Sequence, residues 1–184
     1  MKTVYFVTGN TGKVREAKAM FENLGIDMQQ LVYEYPELQS DNLEEIAKYG
    51  AKNAAIYLKK PIIVEDAGMF ISALKGFPGP YSSFIFKCIG NEGILKLMRG
   101  VKNRNAQFKS VVGYCEPGKE AITFSGSVEG EISDEPWGNM GFGYDPIFLH
   151  QKKTFAQMST EEKNKVSHRC MALRKFAEWF CKDI

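Results

Sequence analysis

The chain has 184 residues, of which 44% are hydrophobic and 25% are charged, a composition that suits one sizeable core. Its 24 basic and 22 acidic side chains leave a formal charge of +2, and the basic residues are scattered along the chain. We therefore expect one domain over residues 1–184, with no basic footprint for nucleic acid and no apolar run near the roughly 18 residues that cross a bilayer.

Cysteine and histidine usage restricts the chemistry further. The four cysteines are far apart and follow no secretory leader, so we expect reduced thiols in the core of a cytoplasmic protein. The two histidines, His150 and His168, are too few for a histidine-rich zinc site. Carboxylates and lysines are therefore expected to carry most of any mechanism.

The beginning of the chain alternates predicted strands and helices. Residues 3–8 are an apolar, β-branched run that ends at a glycine-containing turn, which indicates a buried strand. Apolar residues then recur at helical spacing, and Gly25 follows where a helix would end: Val14, Ala17, Phe21 and Leu24. A second strand is predicted near residues 29–33.

A second helix is predicted to begin at Asp41, since Glu44 three residues later completes a capping-box pattern. Its predicted buried face comprises Leu43, Ile46, Ala47, Gly50, Ala54 and Leu58. The apolar run 61–64 then predicts a short strand that runs directly into Glu65 and Asp66. This order of elements is typical of an α/β sheet.

The middle of the chain has the alternation of antiparallel strands. Residues 106–114 and 121–124 flank a Pro-Gly turn and predict a hairpin, which residues 127–132 should extend. A further strand is predicted at 146–149. Ser159 and Glu162 form a capping-box pattern for a closing helical region, and Ser167 is the predicted N-cap of the last helix.

Residues Thr8, Gly9, Asn10, Thr11, Gly12 and Lys13 lie between a predicted strand and a predicted helix. Free backbone amides and the helix dipole favour an anion at such a position, so a phosphate could bind there. The spacing is not that of a Walker A loop, because two residues separate the glycines and a valine follows the lysine. An ordinary strand-to-helix turn is an equal alternative.

Glu65 and Asp66 follow a predicted apolar strand, at the edge where α/β sheets bind ligands. Two adjacent carboxylates repel each other unless a cation lies between them. Mg²⁺ bound through one or two carboxylates and substrate phosphates would satisfy them, with Glu37 as a further acid. A solvated acidic turn is the alternative interpretation.

The segment 138–146 places glycines around two aromatic residues and an acid. Such a loop lets the backbone approach a flat ligand while a ring stacks on it, which suits a purine, although plain β-turns share this composition. His168 and Arg169 follow the predicted N-cap Ser167 and would point toward whatever lies at that end of the helix. A histidine near a helix start is more often a surface residue than a ligand.

Six short segments occur in one order along the chain: Thr8-Gly9-Asn10-x-x-Lys13, Pro36-Glu37, Glu65-Asp66-x-Gly68, Gly76-x-Pro78-Gly79-x-Tyr81-Ser82, Gly141-Phe142-Gly143-Tyr144-Asp145-Pro146 and Glu162-Lys163-Asn164-x-x-Ser167-His168-Arg169. Together they resemble the inosine triphosphatase family, also called the Ham1-like or non-canonical purine nucleoside triphosphate pyrophosphatases. The resemblance covers essentially the whole chain, and the archaeal members look most similar in length. Each motif alone is weak, but their common order makes coincidence improbable.

This resemblance implies a two-lobed α/β fold, with a long, twisted mixed sheet flanked by helices and a nucleotide cleft between the lobes. It implies a homodimer that uses Mg²⁺ to cleave ITP, dITP and XTP to the monophosphate and pyrophosphate. Asp66 would accept a proton and bind the metal, with Glu37 as the second acid and Glu65 as an alternative ligand.

The remaining roles follow the same resemblance. The turn from Thr8 to Lys13 would hold phosphates, and Lys163 would lie over the phosphate or the base edge. The base would be bound by Phe142, Gly143, Tyr144, Asp145, His168 and Arg169. The family commonly has Ser or Thr after the catalytic acid, whereas this chain has Ala67, so a hydroxyl contact to the nucleotide would be missing.

Two other functions are compatible with the same residues. A related hydrolase of pyrimidine or modified nucleotides would share the metal chemistry and differ in the base pocket. A regulatory module would bind a nucleotide without cleaving it. The presence of Glu37, Asp66 and Lys13 together argues against that module, because binding alone does not need a general base beside a metal.

Overall fold

The computed structural model describes residues 2–22 and 24–182. Its helices are α1 (Thr11–Glu22), α2 (Leu43–Leu58), α3 (Ser82–Leu97), α4 (Thr160–Val166) and α5 (His168–Lys182). Its strands are β1 (Thr3–Val7), β2 (Asp27–Leu31), β3 (Ile62–Ile71), β4 (Pro78–Gly79), β5 (Asn105–Cys115), β6 (Ile122–Ile132), β7 (Phe148–His150) and β8 (Lys153–Thr154).

The strands form one mixed sheet in the order β2-β1-β3-β5-β6-β7-β8, with β4 beside β3. β1 pairs in parallel with β2 and β3, because α1 and α2 provide the crossovers that parallel neighbours need. The other pairs are antiparallel, and β5 and β6 form the predicted central hairpin. The predicted mixed α/β sheet is confirmed.

Alternation along β3 assigns its side chains to two faces of the sheet. Ile63 faces a hydrophobic cluster with α1 and α5, whereas Ile62 and Val64 face a cluster with α2. Further along, Met69 and Ile71 belong to a third cluster that includes residues of α3 and β7. β3 therefore connects all three parts of the core.

Helices approach the sheet closely where the strands carry glycine. A β-carbon on Gly113 of β5 would collide with the backbone of Ala47 in α2. On the other face, a β-carbon on Gly126 of β6 would collide with the backbone of His168 in α5. These contacts fix α2 and the start of α5 against opposite faces of the central hairpin.

The third strand is the largest difference from the predicted elements. We expected it to end before Glu65 and Asp66, but it continues to Ile71 because it pairs with β5 over its whole length. Two polar residues interrupt the apolar pattern without interrupting the ladder, since Val112 and Val111 pair with them. Helix α3 and strand β4 were not predicted.

Several local predictions can also be corrected or confirmed. Asn42, not Asp41, caps α2, and its side chain accepts a hydrogen bond from Glu44 N. Leu24 lies beyond the end of α1 and is 44% exposed. The capping box of α4 at Ser159 and Glu162 is confirmed.

The expected burial of all four thiols is wrong for two of them. Cys115 and Cys170 are buried, whereas Cys88 and Cys181 are exposed, and all four are free. Within the described residues, the longest apolar helical stretches fall short of what a membrane crossing requires.

Candidate functional site

The predicted phosphate-binding residues lie in the turn after β1 and in the first turn of α1. Asn10 caps α1, because its Oδ1 accepts hydrogen bonds from the amides of Gly12 (2.9 Å) and Lys13 (3.1 Å). Two amides that the sequence suggested were free for a phosphate are therefore already bonded to the protein.

The other residues of this turn leave part of the backbone available. Thr8 accepts a hydrogen bond from Asn10 N through its hydroxyl at 3.1 Å. The amides of Gly9 and Thr11 have no acceptor among residues 2–22 and 24–182, and both residues are exposed. An anion at this turn would therefore meet these two amides and the Lys13 ammonium.

Glu65 is a buried carboxylate that protein cations hold. Lys13 Nζ lies 2.8 Å from Glu65 Oε2 and donates to its backbone oxygen at 2.6 Å. Arg169 Nε lies 3.1 Å from Oε1, in an ion pair without hydrogen-bond geometry, and the Ser110 hydroxyl donates to Oε1 at 2.5 Å. Oε2 has no hydrogen-bond partner among the described residues and is held by the Lys13 ion pair alone, so both oxygens of Glu65 lie against protein cations in this arrangement.

The pKa of Glu65 follows from these contacts. Burial alone would raise the pKa, but the charges of Arg169 and Lys13, together with the hydrogen bond from Ser110, hold it well below its usual range. Glu65 is therefore ionised at neutral pH.

Asp66 is the neighbouring carboxylate, and it faces the opposite side of β3. Its side chain makes no hydrogen bond or ion pair with any residue in the described part of the chain. Burial, partly offset by Lys13 and reinforced by the charges of Glu65 and Glu37, raises its pKa to about 6. An unpartnered carboxylate that changes charge near neutral pH can accept a proton or bind a cation.

Glu37 lies between β2 and α2 and is exposed. Its charge reaches two groups at this site: together with Asp66 it adds to burial in raising the pKa of Tyr35, and it contributes to the raised pKa of Asp66. No group of three or more His, Cys, Asp or Glu among the described residues is arranged as a metal cage. Asp66 and Glu37 could supply two oxygen donors to a cation whose other ligands come from elsewhere.

Ala67 follows Asp66 and turns back to the face of Glu65, opposite Ser110 in the β3–β5 ladder. A side-chain hydroxyl is therefore present on the neighbouring strand, where it donates to Glu65. Ser110, which carries this hydroxyl, was not among the predicted site residues.

The loop 138–147 contains the predicted base-binding residues. Gly141 has φ 75°, and a β-carbon there would collide with Asp145. Asp145 Oδ2 in turn accepts a hydrogen bond from Phe142 N at 2.7 Å, which closes a tight turn. Phe142 packs on the start of α1, where a β-carbon on Gly12 would lie 2.5 Å from its ring. Two distant segments of the sequence are thus in contact.

Tyr144 and Gly143 lie behind this turn. Tyr144 is only 4% exposed, packs edge-on against Phe86 and donates a hydrogen bond to Ser82 O at 3.1 Å. The backbone oxygen of Gly143 accepts from Asn91 at 3.1 Å. Both residues therefore attach the loop to α3, and Tyr144 belongs to the core rather than to the loop surface.

His168 and Arg169 are buried at the start of α5, each 3% exposed, so His168 is not a surface residue. The His168 ring stacks on Phe108 with centroids 4.6 Å apart. Its Nδ1 is buried and has no hydrogen-bond partner within the described residues. Burial, with the nearby Arg169 charge, keeps its pKa well below the usual range, so the imidazole is neutral.

Lys163 is also buried, and it bonds to two carboxylates: Glu16 Oε1 at 2.7 Å and Asp145 Oδ2 at 2.6 Å. Glu16 in turn bonds to Arg169 through its other oxygen. The sequence analysis missed Glu16. Its position one helical turn after Lys13, on the flank of the buried face of α1, was the available signal.

These pairs form one line of alternating charges: Lys13, Glu65, Arg169, Glu16, Lys163 and Asp145. The line begins at Lys13 in the first turn of α1 and ends at Asp145 in the loop 138–147. Five of its six members are buried, and Lys13 has 20% of its side chain exposed. Of the predicted site residues, the structure thus joins Lys13, Glu65, Asp145, Lys163 and Arg169. Asp66 lies on the opposite face of β3, and Glu37 lies in the loop between β2 and α2.

Comparison with known proteins agrees with this architecture. The chain is similar to curated proteins named dITP/XTP pyrophosphatase from Methanopyrus kandleri, with 56% identity over 98% of this chain and 97% of the relative, and from Thermococcus kodakarensis, with 52% identity over 97% of each.

Solved structures give the same result. The Ham1 protein of Staphylococcus aureus has a TM-score of 0.86 at 31% identity, covering 100% of both chains. A HAM1 protein from Coxiella burnetii has a TM-score of 0.87 at 28% identity, covering 99% of this chain and 100% of the other. The family model described as the Ham1 family matches residues 4–179. With its full-length relatives, its shared fold and the predicted motifs in order, the chain belongs to the Ham1 family.

Proposed function

We propose that this protein hydrolyses non-canonical purine nucleoside triphosphates, namely ITP, dITP and XTP, to the nucleoside monophosphate and pyrophosphate. The observation that carries the proposal is Asp66, an unpartnered carboxylate with a pKa of about 6 that lies within electrostatic reach of Lys13. The names of the relatives, dITP/XTP pyrophosphatase, support the same substrate class.

In the proposed reaction, Asp66 orients a water molecule and accepts a proton from it. The water oxygen forms a bond to the α-phosphorus, and the bond from that phosphorus to the bridging oxygen breaks, so that pyrophosphate leaves with the electron pair. Lys13 and the free amides of Gly9 and Thr11 would stabilise the charge that develops on the leaving group. Lys13 must then exchange its contact with Glu65 for one with phosphate.

The donors at this site fit Mg²⁺, which prefers carboxylate oxygens and substrate phosphates to a complete protein cage. Asp66 and Glu37 would hold the ion, in accord with the absence of a three-ligand cluster among the described residues. When bound, Mg²⁺ supplies charge neutralisation on the phosphates. Glu65 would instead hold Arg169 in place, and Lys13 until phosphate binds, a change from the ligand role that the sequence suggested.

The base would bind near Phe142 and His168. The neutral imidazole of His168 has one donor and one acceptor nitrogen, and its buried Nδ1 is unpaired. A buried nitrogen without a partner is costly, and a purine base that bonded to this ring would remove that cost. Arg169 contacts the two carboxylates through Nη1 and Nε, so its remaining N–H groups could donate to the base while both contacts are kept.

One experiment tests the proposed function. Purified protein with Mg²⁺ is incubated with ITP, XTP and the four canonical triphosphates, and pyrophosphate and phosphate are measured separately. We expect pyrophosphate from ITP and XTP and little from ATP. Phosphate as the only product would overturn the proposed bond cleavage, and hydrolysis confined to pyrimidine nucleotides would favour the related hydrolase.

We further propose that the chain acts as one functional unit, as a cytoplasmic homodimer without a nucleic-acid partner. The continuous sheet supports one unit, and four free cysteines accord with a reducing compartment. Apolar side chains on α3 and just before it support an interface: Phe77, Tyr81, Phe84, Ile89 and Leu97 are 37–65% exposed. Light scattering after size exclusion would give the oligomeric state, and a monomer at working concentration would contradict the dimer.

A further inference from the structure

Glu16 is a buried carboxylate on α1 that holds two cations from the last quarter of the chain. Its side chain bonds to Lys163 and Arg169, and the residue is 3% exposed. We propose that Glu16 is a positioning residue for base recognition: it fixes both cations beneath the Phe142 ring and so links the phosphate turn to the base loop. This inference rests on the proposed function.

The geometry around Phe142 gives the first argument. Lys163 Nζ lies 5.0 Å from the centroid of the Phe142 ring, and Arg169 Cζ lies 5.3 Å from it. Gly12, on the same helix as Glu16, packs against that ring. One turn of α1 therefore supplies both the surface on which Phe142 rests and the anion that holds the two cations beside it.

The order of charges gives the second argument. Glu16 is the middle anion of the line that runs from Lys13 to Asp145, and each member between these two ends has an opposite charge on either side. Lys13 and Asp145 end the line at the two places where the proposed substrate binds. If substrate phosphates draw Lys13 away from Glu65, Glu65 still has Arg169 as a partner. The bond to Glu16 then prevents Arg169 from moving toward the phosphates with Lys13.

The free energy of burying charges indicates that the Glu16 carboxylate orients Lys163 and Arg169 more than it stabilises the fold. Taking charges out of water costs about as much as their attraction returns, and apolar replacements of buried ion pairs are often neutral or stabilising. Lys and Arg have long, flexible side chains, which a shared carboxylate confines to one arrangement. We therefore attribute the burial of Glu16, Lys163 and Arg169 to the need to hold the two cations in fixed positions rather than to a gain in stability.

The variant Glu16→Gln tests this role, because the fold retains partners for both cations. Lys163 keeps Asp145, and Arg169 keeps Glu65. A glutamine side chain has nearly the same shape and still offers one acceptor oxygen. We expect it to fold, with kcat/KM for ITP lowered by about 10- to 100-fold through a higher KM, and with a smaller loss for ATP, so that the ITP to ATP ratio falls.

Three variants are assayed with wild type, below all of their melting temperatures. Glu16→Asp keeps the charge and should recover part of the ITP preference. Glu22→Gln, at an exposed position at the end of the same helix, should match wild type. Wild type must release pyrophosphate from ITP, and its failure to do so would overturn the proposed function.

The outcomes for Glu16→Gln distinguish a positioning role of Glu16 from a general contribution to folding. A raised KM for ITP together with a reduced ITP to ATP ratio supports the proposal. A fall in kcat by one factor for both nucleotides, with KM unchanged, indicates only a smaller folded fraction and overturns it. If Glu16→Gln does not fold, Glu16→Asp decides: a wild-type ITP to ATP ratio overturns the proposal, and a reduced ratio with a raised KM supports it.

Discussion

Replacing Asp66 by asparagine should make the protein more stable at neutral pH while removing its activity. Burial, offset in part by Lys13, raises the pKa of Asp66 from 3.8 to about 6. In the unfolded chain the carboxyl ionises at its ordinary value. The difference between these pKa values corresponds to about 3 kcal/mol of folding free energy.

The sign of the effect follows from proton binding. Below pH 3.8 both states hold the proton, and the folded state carries no penalty from this group. Between 3.8 and about 6 the folded state binds more protons, so stability falls as pH rises, and above about 6 the full cost remains. About 0.5 kcal/mol of this cost is already present at pH 4. Asparagine does not titrate, so the stability of Asp66→Asn relative to wild type should increase by about 2.5 kcal/mol between pH 4 and pH 8.

Thermal melts of both proteins from pH 4 to pH 8 measure this difference, in EDTA because a bound cation would favour the ionised carboxylate. For a chain of this length, about 2.5 kcal/mol corresponds to roughly 5–10 °C in melting temperature. Asp41→Asn, at an exposed carboxylate before α2, should show no such trend. Parallel curves for wild type and Asp66→Asn would refute the reasoning, as would wild-type turnover by this variant with Mg²⁺ saturating.

Three further changes test other parts of the site. Lys13→Ala should lower kcat/KM for ITP and destabilise the fold by about 1–3 kcal/mol, because Glu65 then keeps only Arg169 as a cationic partner; full activity in a folded variant would contradict the phosphate role. His168→Phe keeps the stack on Phe108 and removes the unpaired nitrogen, so the melting temperature should rise while the preference for ITP over ATP falls; an unchanged ratio would contradict base binding there. EDTA should abolish hydrolysis and Mg²⁺ should restore it, and undiminished activity in excess EDTA would exclude the proposed metal.

Local features of this protein were predictable because short-range interactions determine them. The capping box at Ser159 and Glu162 depends on residues three apart, and the central hairpin follows from alternation on both sides of a turn. The order of motifs along the chain was likewise sufficient to indicate the family.

The length of β3 shows where local patterns fail. An apolar run appeared to end at Glu65, but pairing with β5 continues the strand through two acids. That pairing places Glu65 and Asp66 on opposite faces, so adjacent residues acquire different environments and pKa values that move in opposite directions. Neither result follows from the two residues themselves, since each depends on the side chains that the fold brings to each face.

The line of alternating charges from Lys13 to Asp145 depended on tertiary structure even more strongly. Glu16 and Lys163 are 147 residues apart in the chain, and Glu16 and Arg169 are 153 apart. Sequence spacing identifies ion-pair partners within a helix, but it carries no information about partners on different elements. The sequence alone determined which charged side chains were present at each turn and helix start, whereas packing of α1 against α4 and α5 decided which of them are buried together, because a charge is buried stably only where the fold supplies its counter-charge.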